Sequence, residues 1–330
     1  MLPLLYRNLQ DKGVSEPSLV ALKEQYFQAW SQNTFSFQRS AGLICEFDRA
    51  GISNMVLKGA AMAILFYEDV GLRPMMDIDV LVTREQARLA MQLLKDLGWK
   101  SKYSSPEAFI PFEQAAEFKN DSNQSLDLHW RVFWEGRQDL SDDDFWTEAI
   151  DVEFNGFPTR SLNATDQLLH ACVHGAKWND TSSLRWVADA MFIVRSQKFE
   201  VDWSRLLCQA RTRRLTLPMA DTLGYLNDLL NACIPLEVID ELRRSPASRS
   251  DHWFYRVRLG NNDALKAVPV MWHWGGSLRS DCKGGFFHRL SQFFLYLRSL
   301  WSVEHTWQIP FYLVGKPLKR IYVTLKSDSV

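Results

Sequence analysis

The sequence predicts an α+β fold: a small mixed sheet with helices packed against it, flanked by an N-terminal helical segment and an all-helical C-terminal half. Three observations carry this expectation. Apolar residues recur at helical spacing over residues 1–50, short apolar runs between residues 51 and 162 read as strands, and the periodicity is helical from Asn163 onward. The expected divisions are therefore 1–50, 51–162 and 163–330.

In the first segment Leu19, Leu22, Tyr26, Phe27 and Trp30 share helical spacing, which Phe37, Leu43, Ile44 and Phe47 continue. Residues 52–57 form a short apolar strand, and Lys58-Gly59 turns it into a helix over residues 60–67. Residues 77–82 make the next strand, followed by Thr83 as N-cap of an amphipathic helix over 84–97 that ends at Gly98. Further strands are expected at 99–103, 115–119, 125–130 and 157–161. Helices are expected at 164–175, 184–196, 202–213, 216–231, 235–244, 263–272 and 286–301, with 244–251 as a surface loop. Asp202-Trp203 opens one of these helices, and Pro235 sits early in another.

The 330 residues are enough for two domains, and the formal net charge of -1 gives no global reason to expect nucleic acid or an anionic membrane as partner. The charge is uneven. From Gly284 onward Arg289, Arg298, Lys316, Lys319, Arg320 and Lys326 face only Glu304 and Asp328, a basic tail that reads first as a solvated helix face. Cysteines 45, 172, 208, 233 and 282 show neither zinc nor redox spacing and read as buried reduced thiols. The N-terminus lacks the charged lead and cleavage site of a signal peptide. The apolar stretch 286–301 is interrupted by His288, Arg289, Gln292 and Arg298, so no transmembrane segment and a cytoplasmic location are expected.

The chemistry concentrates at Asp77-Ile78-Asp79, two acids alternating with apolar residues on an expected strand. Residues two apart on a strand point to the same face, roughly 6.5–7 Å apart. Two carboxylates so placed repel each other and call for protons or cations, Mg²⁺ being the usual ion for a hard oxygen site shared with a phosphate. A third acid, Asp127, sits between Leu126 and Leu128 on another expected strand, with His129 on its face. Two-metal nucleotidyl transfer needs two acids that bridge both ions and a third on the ion activating the attacking oxygen. Asp77, Asp79 and Asp127 are of that type. Lys58-Gly59 at a strand-to-helix junction would make a phosphate cradle, and Arg73 either clamps a phosphate or forms an ordinary salt bridge. His170 and His174, four residues apart, share a helix face and are expected to line the cleft between sheet and helices, or to be packed histidines. Ala171 stands where a zinc protease of the His-Glu-x-x-His type needs its base. Arg185 and Asp189 read as a pair along one helix, with phosphate binding by Arg185 as the lesser alternative, and Trp130, Trp178, Trp186, Trp203, Trp272 and Trp274 as mainly packing residues.

Taken in order, Leu57-Lys58-Gly59, Tyr67, Arg73, Asp77-Ile78-Asp79 and Asp127-Leu128-His129-Trp130 resemble the uncharacterised nucleotidyltransferase family of the DNA polymerase β-type superfamily. They also resemble, more distantly, the nucleotidyltransferase toxins of abortive-infection systems. His170, His174-Gly175, Leu184-Arg185-Trp186, Asp189 and Asp202-Trp203 continue the likeness, which spans most of residues 50–210. The resemblance implies transfer of a nucleoside monophosphate from an NTP, ATP foremost, to an acceptor hydroxyl, with release of pyrophosphate. It implies two Mg²⁺ ions held by Asp77, Asp79 and Asp127, with nucleotide contacts from Lys58, Gly59, Arg73, His129, His170 and His174. Most of the superfamily carries Gly-Ser where this chain has Lys58-Gly59, a variant cradle. The acceptor is expected to be a small molecule or a protein. A toxin-like transfer to tRNA is the first alternative, and a catalytically silent nucleotide-binding protein the second; the near-neutral charge argues mildly against RNA.

Overall fold

Short apolar runs separated by Gly and polar turns pair into a seven-stranded mixed sheet. The computed structural model describes residues 1–14, 17–134, 140–175, 184–259 and 285–311. The strands are β1 (Asn54–Val56), β2 (Ile78–Val82), β3 (Lys100–Ser101), β4 (Ala115–Lys119), β5 (Ser125–His129), β6 (Ile150–Phe154) and β7 (Phe157–Ser161). Their spatial order is β3-β4-β5-β2-β1-β7-β6. β2 runs parallel to β5 and β1 parallel to β7, while the other neighbours are antiparallel. The expected α+β architecture holds.

Side-chain alternation along these strands sorts residues onto two faces. Val56, Ile78, Val80, Val82, Leu126 and Leu128 lie on one face with Ala116 and Phe118. They are covered by α2 (Ser18–Arg49), which contributes Phe37, Ala41, Ile44 and Phe47, and by α4 (Ala87–Asp96), which contributes Ala90, Met91 and Leu94, while α1 (Leu2–Asp11) packs against α2. The opposite face carries Met55, Leu57 and Leu81, which join the helical half: α6 (Ala164–Gly175), α7 (Arg185–Val194), α8 (Trp203–Thr212), α9 (Thr216–Leu230) and α10 (Leu236–Arg244). Asp202 caps α8 by accepting from Arg205 N at 2.9 Å. Between the sheet and this half lie α3 (Lys58–Met62), its continuation as a π-helical turn (Ala63–Tyr67), and α5 (Asp143–Thr147).

The last described helix does not stay with the helical half. After α11 (Arg249–Leu259), helix α12 (Phe286–Leu300) returns to the first face of the sheet. There Phe293 and Tyr296 meet Phe109 and Phe112 edge-on or tilted, and Tyr296 Oη donates to Glu113 at 2.6 Å. Among the described residues no helix is long and apolar enough to cross a membrane.

Several local expectations need correction. Thr83 is not the N-cap of α4. It opens a turn, with Gln86 N donating to Thr83 O at 3.0 Å and Ala87 N to Arg84 O at 3.3 Å, and the helix begins at Ala87, its first i→i+4 bond running from Ala90 N to Gln86 O at 2.9 Å. The expected loop over 244–251 already turns into α11 at Arg249, where Asp251 Oδ2 accepts from Ser248 N at 2.9 Å. Pro235 stands before α10 as its N-cap, not within it. Of the four described cysteines, all free thiols, Cys172 is buried, Cys45 half-buried, and Cys208 and Cys233 exposed, because the last two sit on outward helix and loop positions. Burial pushes the Cys172 thiol up to about 12. The helix expected at 263–272, together with Trp178, Trp272, Trp274, Cys282, Lys316, Lys319, Arg320 and Lys326, lies outside the described residues.

The β6–β7 hairpin turns on Asn155-Gly156, both with positive φ (50° and 87°). Two consecutive left-handed residues are the requirement of the tight hairpin turn that Asn-Gly favours. Gly156→Val is therefore expected to lower unfolding stability by about 1 kcal/mol or somewhat more, read from the urea midpoint at unchanged slope. A variant as stable as the parent would show that this turn tolerates a Cβ.

Candidate active site

Register brings the acids together. Asp79 on β2 lies directly opposite Asp127 on β5, and Ile78 and Val80 pair with Leu126 and Leu128 beside them. Neighbouring strands run about 4.8 Å apart, closer than residues two apart on one strand, so the lateral pair is tighter than Asp77 and Asp79. Asp77 stands one residue before β2 and is half-buried; Asp79 is buried; Asp127 is half-buried. One ligand atom from each of Asp79, Asp127 and His129 lies within 4.8 Å of the others.

The charges respond to this crowding. Burial and the adjoining Asp79 push the Asp127 carboxyl up to about 6. The same two causes raise Asp77 above its ordinary range. Asp79 goes the other way: burial pushes it up, but the Lys58 ammonium and the hydrogen-bonded His129 outweigh that and hold it well below the usual carboxylate range. Lys58 Nζ contacts Asp79 Oδ1 directly and lies 3.2 Å from His129 Nε2. Lys58 itself has φ +46°, a left-handed conformation at the β1–α3 junction.

Placement relative to expectation is uneven. His129 shares a face with Asp127, yet its Nε2 meets Asp79 Oδ1 at 3.0 Å, so the carboxylate it orients is on the neighbouring strand. Arg185 and Asp189 do not pair. Asp189 instead accepts from Arg73 Nε at 2.9 Å, from Arg73 Nη2 at 2.8 Å and from Tyr67 Oη at 2.8 Å. This fork is buried and ties the segment before β2 to α7. A bidentate guanidinium–carboxylate contact surpasses an i,i+4 pair on a solvated helix face, which contributes only a few tenths of a kcal/mol. Arg185 is released from that role: it is exposed, lines the cleft and acts on Asp77. Nothing in its spacing to Asp189 signalled this; only the competing Arg73 does.

Lys58, Gly59, Arg73, Asp77 and Asp79 line a single cleft with Gln167, His170, His174, Arg185 and Trp186. The sheet supplies the acidic floor, and α6 and α7 supply a wall of His and Arg. His170 and His174 lie with rings 5.4 Å apart and nearly parallel. Trp130, by contrast, is core: its indole N–H donates to Glu113 O at 2.8 Å. Gly59 has an ordinary φ, but a Cβ there would lie 2.7 Å from Arg73 Nη1 and 2.6 Å from Met75 Sδ. Met75 can move; Arg73 is held by Asp189. Gly59→Ala should therefore displace the guanidinium by a few tenths of an ångström to 1 Å and lower kcat/KM by up to about 10²-fold, with the melting temperature nearly unchanged. Equal kinetics would show that the Arg73 position has no bearing on turnover.

The donor set fits a divalent cation: hard carboxylate oxygens of Asp79 and Asp127 converge from two strands, an ammonium already sits against one of them, and Asp77 and Asp127 are raised by burial and by the neighbouring Asp79 charge. The chain belongs to the family described as uncharacterised nucleotidyltransferase, whose profile matches residues 1–231. No curated protein matches it.

Several solved structures are similar, among them three nucleotidyltransferase-type or antibiotic-resistance proteins. The lincosamide antibiotic adenylyltransferase LnuA, bound to lincomycin, shares 15% identity over 46% of this chain and 92% of its own, with a TM-score of 0.35. The antibiotic-resistance factor ANT(2'')-Ia shares 11% over 58% and 98%, with a TM-score of 0.41. An antigenic nucleotidyltransferase-like protein from Paracoccidioides brasiliensis shares 14% over 65% and 95%, with a TM-score of 0.37. At such identities these structures say nothing of this chain's acceptor.

Proposed function

We propose that this nucleotidyltransferase moves a nucleoside monophosphate from an NTP, ATP foremost, to a hydroxyl of a small-molecule or protein acceptor and releases pyrophosphate. The observation that carries this reading is the lateral register of Asp79 and Asp127, next to a cleft that Asp77 and Asp79 line with Lys58, Arg73 and Arg185. Asp77, Asp79 and Asp127 would hold the divalent ions, Mg²⁺ by the hardness of the oxygen donors. Bound there, the ions would neutralise the acids, polarise the transferred phosphoryl group and acidify the acceptor hydroxyl.

The chain's own residues do the rest. Lys58 and Arg185 present positive charge to the triphosphate. His170, His174 and Trp186 bound the opposite wall, where base or acceptor rests. Asp127 orients the acceptor hydroxyl and takes its proton as the acceptor oxygen bonds to the α-phosphorus. The bond from that phosphorus to the bridging oxygen breaks, and pyrophosphate leaves. His129 acts through Asp79 by fixing the orientation of its carboxylate. The residue divisions 1–50, 51–162 and 163–330 would then correspond to a helical cap, a nucleotidyl-transfer core and an acceptor-selecting half. The free thiols suit the reducing cytoplasm.

The test is incubation of the purified chain with Mg²⁺ and each α-labelled NTP against separated small-molecule, protein and RNA fractions. Label in the small-molecule or protein fraction, with pyrophosphate released, supports the proposal. Label in tRNA alone would assign the toxin-like acceptor instead. NTP binding without any transfer or pyrophosphate release would leave a silent binding protein.

A further inference from the structure

We propose that Lys58 is a resident counter-ion of the acid cluster: in the metal-free protein its ammonium holds the cation position at Asp79 and must be displaced before a divalent ion binds there. This rests on the reading that Asp77, Asp79 and Asp127 bind metal, and it concerns how that site is loaded.

Three observations support it. First, the Lys58 ammonium touches Asp79 Oδ1 and sits 3.2 Å from His129 Nε2, and so meets two of the three residues whose ligand atoms converge within 4.8 Å. An ammonium in contact with that oxygen and a divalent ion bound to the same oxygen would repel each other at close range, beside a carboxylate that is itself buried and so only weakly screened by water. Second, Lys58 keeps a left-handed backbone, φ +46°. Such a conformation is uncommon for a residue with a long side chain and persists where surrounding contacts over-determine it. A glycine would adopt it freely, yet the glycine of this turn is residue 59, and the strained position carries the cation. Third, the ammonium has somewhere to go. Lys58 lines the same cleft as Arg73 and Arg185, and its flexible four-carbon stem can carry the charge from Asp79 to a triphosphate.

Loading is thereby coupled. Metal alone competes with Lys58 for Asp79, whereas a triphosphate draws the ammonium away and frees the carboxylate. By linkage the nucleotide tightens the metal and the metal tightens the nucleotide. Lys58 is in this sense a positioning residue, and removing its charge should uncouple the two ligands.

The experiment is a calorimetric titration of the full chain with Mn²⁺ in the absence of nucleotide, for the parent, Lys58→Met, Lys58→Arg and Lys58→Met/Asp79→Asn. Lys58→Met is expected to bind Mn²⁺ at least tenfold more tightly than the parent and, metal-free, to melt at lower temperature, with the loss reversed by Mn²⁺. Lys58→Arg, which keeps the charge, should retain the parent's weak binding. Lys58→Gln replaces Lys58→Met if circular dichroism shows the latter unfolded. Equal or weaker Mn²⁺ binding by the folded, uncharged variant overturns the proposal while leaving the metal reading intact, provided the Lys58→Met/Asp79→Asn variant does not bind. If the double variant binds Mn²⁺ as tightly as Lys58→Met, the metal reading itself fails.

Discussion

Asp79→Asn is expected to lower kcat/KM for nucleotidyl transfer by about 10³-fold or more, the scale on which a single group that stabilises transition-state charge acts in a preorganised site. Asp79 is the only one of the three acids that is both buried and held firmly ionised, by Lys58 and His129. Asparagine keeps the shape but not the charge. The fold should survive, because Lys58 retains Asp77 and Asp127 as nearby anions and still borders an open cleft. Single-turnover release of labelled pyrophosphate, beside an unchanged circular dichroism spectrum, checks the pair of expectations. Turnover within tenfold of the parent would remove Asp79 from the chemistry.

Asp189→Ala is expected to cost stability on the order of 3–5 kcal/mol, the range for removing one partner from a buried ion pair. The carboxylate satisfies two guanidinium N–H groups of Arg73 and the Tyr67 hydroxyl at once, and all three residues are buried or nearly so. Alanine strands the Arg73 charge. The Arg73→Met/Asp189→Leu double variant should recover most of the loss, since apolar replacement of a whole buried pair is often neutral. Urea midpoints at constant slope measure both, and the double-mutant cycle isolates the coupling. A loss below about 1 kcal/mol would mean that the fork is solvated in practice.

These two effects differ in how far the sequence alone revealed them. Strands at 115–119 and 157–161 and the helix at 164–175 were legible to the residue, because alternation and helical periodicity report burial on one face. The alternation of Asp77-Ile78-Asp79 was legible for the same reason, although β2 itself begins at Ile78. What a linear pattern does not encode is lateral register: Asp127 sits beside Asp79 because β2 and β5 run parallel in one frame, and a shift of one residue would turn Asp127 to the other face. The Arg73–Asp189 fork spans 116 residues and was hidden by a local rule that offered Arg185. The strand Ile150–Phe154 was missed although Asn155-Gly156, a strong short-range hairpin signal, stood next to it.

The position of helix Phe286–Leu300 bears on how the protein comes to be made. Its Phe293, Tyr296 and Leu297 complete the apolar cover of a sheet whose own strands end at Ser161. A nascent chain thus exposes part of this sheet face until synthesis has passed residue 300. A polypeptide halted at residue 231, where the family likeness stops, would leave Phe109 and Phe112 without these partners and be prone to self-association.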